Sequence, residues 1–204
     1  MQDKSLQQEL SVLDHEEKVA RLKRMAGKNE VKEYILDPAD ENPAVYCGTY
    51  RKYNEGSLFG AWIDLTKCAD YDEFKEVCHK LHADEDDPEL MFQDFMYFPE
   101  SWYSESWMDE DTFDKIIEYA DMDDKEAFEA WTNATGDDDV EKFKDRYMGE
   151  WDSEEAFAEH IIDECYDLDK MMGSLSSYFD YKSYAYDLFH SDYTYDNGYV
   201  WRDF

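Results

Sequence analysis

Apolar positions along this chain change their period several times, and each change marks an expected element. Leu6, Leu10 and Leu13 fall on one face of a helix. Asp14 followed by Glu17 has the form of a capping box that opens a second helix. Val19, Leu22 and Met25 continue an apolar stripe along it, and Gly27 is placed to end it. Around residue 44 the pattern shifts toward strands. Residues 44–50 are rich in β-formers, 58–63 read as a return strand, and Asn54-Glu55-Gly56-Ser57 supplies turn chemistry between them. A helix over 71–83 follows, with Phe74, Val77, Cys78 and Leu81 on its buried stripe, and then a third strand over 90–95. Together these make a ββαβ unit.

The next stretch, 109–146, reads as mainly helical. Phe113, Ile116, Ile117 and Ala120 share one face; Phe128 and Trp131 mark a second helix; Val140, Phe143 and Tyr147 mark a third. No proline follows Pro99, so long helices are permitted. Asp152 and Glu155 form another capping pattern, before a helix whose buried face carries Phe157, Ile161 and Ile162. A short helix over 181–189 follows Asp180. Tyr193-Thr194-Tyr195 and Tyr199-Val200-Trp201, joined by Asp196-Asn197-Gly198, read as a hairpin. The elements define an α+β chain.

Composition shows that this chain folds. Disordered acidic chains lack aromatics, whereas aromatic residues here make up 17% of 204. The net charge of -33, from 53 acids against 20 bases, excludes nucleic acid and anionic membranes as direct partners, since both require a positive surface. Cationic partners remain. The charge is uneven: residues 1–42 hold ten acids and seven bases, while 43–204 hold 43 acids and 13 bases. General salt adaptation would acidify both parts. The cysteines Cys47, Cys68, Cys78 and Cys165 form no C-x-x-C pair, and no signal-peptide pattern or membrane-length apolar run is present. The expectation is a cytoplasmic chain with reduced thiols.

Candidate catalytic and metal chemistry is thin. His79 and His82 lie three apart near Cys78 and Asp84, without a fourth convergent ligand for zinc. Asp121, Asp123 and Lys125 begin like a calcium loop, but a lysine takes a ligand position and the turn glycine is missing. There is no phosphate loop, nucleophile elbow or H-E-x-x-H motif. Carboxylate pairs are so numerous that none stands out as acid and base. The expectation is a non-enzyme without metal or cofactor.

The acids themselves are the informative feature. Residues 109–129 carry ten acids against Lys115 and Lys125. As helix they span roughly 32 Å, or ~4 Å per net charge, close to the ~3.4 Å per phosphate of one DNA strand. The expected phosphate-like surface comprises Asp84, Glu85, Asp86 and Asp87; then Asp109, Glu110, Asp111, Asp114, Glu118, Asp121, Asp123, Asp124, Glu126 and Glu129; then Asp137, Asp138, Asp139, Glu141 and Asp145; and finally Glu154, Glu155 and Glu159. Two other readings compete with a polyanion that fills a DNA-binding groove. One is an acidic chaperone-like binder of a basic nucleoid protein. The other is a salt-adapted enzyme.

Several segments resemble ArdA antirestriction proteins. Residues 43–50 (PAVYCGTY), Lys52-Tyr53-Asn54-Glu55-Gly56-Ser57-Leu58 and Gly60-Ala61-Trp62-Ile63-Asp64-Leu65 are similar to the opening of that family. So is Leu81-His82-Ala83-Asp84-Glu85, continuing to Pro88-Glu89-Leu90-Met91-Phe92-Gln93-Asp94. The closing match is Tyr178-Phe179-Asp180-Tyr181, Tyr184-Ala185, Asp187-Leu188-Phe189, Asp192-Tyr193 and Gly198-Tyr199-Val200. The resemblance implies an elongated, curved dimer of three small domains. Such a protein mimics bent DNA, binds the methyltransferase core of type I restriction–modification enzymes and protects incoming mobile DNA in a bacterial cytoplasm. Its domains would span 43–101 (α+β), 102–145 (helical) and 146–204 (α/β, dimerisation), preceded by a helical extension over 1–42. By position, Cys165, Leu168, Met171, Met172 and Leu175 fall at the family's apolar segment near the dimer interface, interrupted here by Asp167, Asp169 and Lys170.

Overall fold

The computed structural model describes residues 14–203, so the helix expected from Leu6, Leu10 and Leu13 lies outside the described residues. Helix α1 (His15–Glu30) starts at the expected capping box: Asp14 accepts from the Glu17 amide at 2.9 Å, and Glu17 accepts from the Asp14 amide at 3.1 Å. Gly27 does not end it. A β-carbon there would lie 2.4 Å from the Lys80 carbonyl oxygen, so the glycine permits close approach to another helix instead. The apolar stripe also departs from expectation, because Val19, Leu22 and Met25 are 40–50% exposed. The inward face carries Arg24 and Gly27, and exposed Lys28 reaches round to the Gly60 carbonyl oxygen, its Nζ at 3.4 Å.

Strand β1 (Ala44–Thr49) runs between β2 (Ala61–Asp64) and β3 (Leu90–Met96), antiparallel to both. The link from β1 to β2 is not the tight turn expected. A one-turn helix, α2 (Tyr50–Asn54), is capped by the Thr49 hydroxyl, which accepts from the Lys52 amide at 3.2 Å. The return strand begins only at Ala61, and Leu58 is 72% exposed. Helix α3 (Tyr71–Leu81) buries the four residues expected of it, Phe74, Val77, Cys78 and Leu81. Phe74 stacks on Phe92 of β3 and on Phe113 of α4 (Glu110–Ala120), each with 5.7 Å between ring centroids.

The segment preceding β1 belongs to this core. Val31 and Leu36 are buried. Ile35 bridges to Ile63, and the Leu36 amide donates to the Trp62 carbonyl at 3.0 Å. These bonds cover the outer edge of β2, which would otherwise offer unpaired backbone groups.

The chain divides into two units, 1–121 and 122–204. Helix α4 falls in the first unit, and the next two helices fall in the second. The second unit contains α5 (Lys125–Thr135), α6 (Val140–Arg146), β4 (Tyr147–Glu150), α7 (Glu154–Cys165), α8 (Leu168–Met172), α9 (Tyr181–Ser191), β5 (Tyr193–Asp196) and β6 (Tyr199–Arg202). Its sheet has the order β4-β6-β5. Tyr147, expected on a helix, opens β4 opposite Trp201. Helix α7 is capped one residue later than expected, by Ser153, which accepts from the Ala156 amide at 3.1 Å. The terminal hairpin forms as expected: Asn197 and Gly198 take φ of 50° and 94°, the left-handed pair that a two-residue turn requires. Trp131, Phe128, Phe143, Phe157 and Trp201 form the buried layer. No helix among the described residues is long and apolar enough to cross a membrane.

Candidate functional site

The acidic surface is built by helices whose other faces are apolar. In the first unit, α4 buries Phe113, Ile116 and Tyr119. Asp111, Asp114, Glu118 and Asp121 follow at i, i+3, i+7 and i+10, a stripe of ~15 Å with a carboxylate every ~5 Å. All are exposed except Glu118, which is half-buried. Asp109 caps the helix by accepting from the Thr112 amide at 2.9 Å, and these bonds hold its carboxyl below the usual range. Lys115 does not extend into this stripe; its ammonium lies over the Trp102 ring at 4.4 Å.

The stretch 109–129 is not one helix. Helix α4 ends at Ala120 with Asp121 as its C-cap, still in helical conformation, and α5 starts at Lys125, so Asp123 and Asp124 lie in the connection. In the second unit Asp123, Asp124, Glu126 and Glu129 are exposed at the start of α5, as are Asp139, Glu141 and Asp145 along α6 and Glu154, Glu155 and Glu159 along α7. Asp137 and Asp138 are half-buried. Asp137 pairs with Lys142, and that bond holds its carboxyl low.

Asp84 and Glu85 must be removed from the expected surface. Their side chains are 2% and 7% exposed, turned inward onto Lys52, itself 1% exposed. The Lys52 ammonium lies 2.9 Å from Asp84 Oδ1 and 3.1 Å from His82 Nδ1, and it also donates to Glu85. An ammonium only donates, so Nδ1 accepts and Nε2 faces the Cys47 carbonyl at 3.3 Å. Thr49 donates to Glu85 at 2.7 Å, and Arg24 Nε reaches Asp84 Oδ2 at 2.6 Å. Phe59 closes the cluster, with the Lys52 and Arg24 cations 5.6 and 5.9 Å from its ring centre. Burial pushes the Asp84 carboxyl up, but the bonds from Arg24 and Lys52 outweigh it and hold the group low.

His82, Asp84 and Glu85 each bring a ligand atom within 4.8 Å of the others, a spacing suited to a metal. The cation among them is the Lys52 ammonium. Behind the cluster lie the free, buried thiols of Cys47 and Cys78: a hydrogen bond from the Cys78 thiol draws Cys47 down, while burial pushes Cys78 up. Neither Lys52 nor Arg24 was singled out for its chemistry in the sequence, because no local pattern announces a buried lysine. The two segments Lys52–Leu58 and Leu81–Glu85, which carry part of the family resemblance, meet here.

The described residues therefore define a class: a folded polyanion whose exposed carboxylates ride on aromatic cores. A family model for antirestriction protein (ArdA) matches residues 45–201. The chain belongs to the ArdA antirestriction family, whose members inhibit restriction enzymes rather than catalyse a reaction. No curated protein matches it.

Proposed function

We propose that this antirestriction protein acts as a DNA mimic. Its exposed carboxylates occupy the groove in which the methyltransferase core of a type I restriction–modification enzyme grips DNA. The observation that carries this reading is the α4 stripe, four carboxylates held in line over a buried aromatic face. Its ~5 Å spacing approaches the ~3.4 Å of one phosphate strand. The mimic protects incoming mobile DNA in the host cytoplasm.

The second unit supplies the pairing surface. Cys165, Met171, Met172 and Leu175 are exposed beside half-buried Leu168, with Met171 at 67% and Leu175 at 59%. Such a cluster of uncovered apolar side chains supports a homodimer interface. Titration into a type I methyltransferase–DNA complex tests the reading: the protein should release the DNA at low salt. Retention of DNA at saturating protein, or capture of basic nucleoid proteins without any restriction enzyme, would contradict it.

A further inference from the structure

The family match begins at residue 45, yet the segment before it completes the buried ion cluster. Within the matched span, that cluster holds two carboxylates, Asp84 and Glu85, against one ammonium, Lys52. An unbalanced charge at so buried a site is strongly unfavourable. Arg51 of the same span also faces the pair but is exposed and bonded to Glu55, so Arg24 of α1 supplies the second direct cation. One Asp84 oxygen faces Lys52 at 2.9 Å and the other faces Arg24 at 2.6 Å, so a single carboxylate bridges both cations.

This requirement accounts for the orientation of α1. The helix turns Arg24 inward to meet that anion, and its apolar stripe is left facing out. Gly27 lets the backbone come close enough to α3 for Arg24 to reach. Immediately after the bridged pair the chain emerges: Asp86, Asp87 and Glu89 are exposed, and with Tyr50, Arg51 and Asn54 they line an open groove.

We propose that Arg24 is a positioning residue for the inhibitory surface. By balancing the buried cluster it fixes Asp84 and Glu85, and through them the acidic turn 86–89 that the cationic groove of the target meets. This proposal rests on the DNA-mimic reading. It gives the extension a function, which is to set the geometry of acids that lie outside it.

The test compares the full-length chain with Arg24→Met, Arg24→Lys and the charge-balanced double variant Arg24→Met/Asp84→Asn. Two readouts are taken: amide exchange over 85–89, and DNA displacement from a type I methyltransferase. Arg24→Met should raise exchange about tenfold or more and weaken displacement by roughly fivefold to tenfold. The double variant, and Arg24→Lys with its charge kept, should stay within about twofold of wild type in both. Wild-type displacement by Arg24→Met despite raised exchange would overturn the proposal. So would a double variant that regains protection but still inhibits weakly, since Arg24 would then act on the target directly. An Arg24→Lys variant that loses as much as Arg24→Met would overturn it too. If the wild-type chain displaced no DNA, the mimic reading would fail, while exchange over 85–89 would still report whether Arg24 holds the turn.

Discussion

At the scale of single residues, the decisive group is Lys52, whose ammonium is shared by Asp84, Glu85 and His82. Lys52→Met leaves buried carboxylates short of a cation and should lower stability by about 3–5 kcal/mol, read from urea denaturation at neutral pH. The pH dependence has a definite sign. The Asp84 carboxyl is held low when folded, so its contribution is present above the ordinary value of about 3.9 and is lost as pH falls through the lower folded value. In Lys52→Met the carboxyl loses a cation and protonates at higher pH. The gap between variant and wild type should therefore narrow in acid, and a gap that widens would contradict the assigned pairing. The cysteines give a second check. Cys165 is exposed, whereas Cys47, Cys68 and Cys78 are buried, and burial pushes the Cys68 thiol up to about 12. Alkylation of the native chain should modify one thiol quickly and the other three only on unfolding. The buried cluster was not legible residue by residue. Asp84 and Glu85 look like their exposed neighbours Asp86 and Asp87, and only partners distant in sequence, Lys52, Arg24 and Thr49, turn them inward.

Elements set by local signals were readable. The α3 stripe at Phe74, Val77, Cys78 and Leu81 and the Asp196-Asn197-Gly198 turn depend on helical period and on left-handed backbone, both written into consecutive residues. Elements set by distant partners were not. Helix α1 carries the capping box and the apolar stripe of an ordinary amphipathic helix, yet it docks by Arg24 and Gly27. Gly27→Ala separates the competing effects. Helix propensity alone predicts a gain of about 1 kcal/mol, but the added carbon would meet backbone oxygens of Lys80 and Leu81 at 2.4 and 3.0 Å. The clash should prevail, with a net loss of about 1–3 kcal/mol in thermal denaturation and faster amide exchange along α1. The α4 stripe makes the corresponding prediction for function. Neutralising Asp111, Asp114, Glu118 or Asp121 singly should change inhibition by less than about threefold, since exposed charges act as a shared field. Neutralising all four together should weaken it by about tenfold or more. Asp109 is left in place because it caps the helix.

Across the whole molecule, the excess of 33 negative charges is tolerated because each unit has its own aromatic core, built around Phe74, Phe92 and Phe113 in one and Phe128, Trp131 and Phe143 in the other. Composition and charge asymmetry revealed the polyanion, and the paired motifs revealed the family. The division at 121/122 was hidden, because Asp121 to Asp124 read as one more stretch of an acidic helix. In the second unit, replacing Met171 and Leu175 by Asp should convert a dimer to a monomer in sedimentation; an unchanged species would place the pairing surface elsewhere. The central claim is that these carboxylates stand in for phosphates, and the most direct measurement is the affinity of the protein for a type I methyltransferase across a salt series. A steep loss is expected, about a hundredfold or more between about 50 and about 200 mM salt, running parallel to the loss for DNA on the same enzyme. An affinity that stays level while that for DNA falls would contradict it.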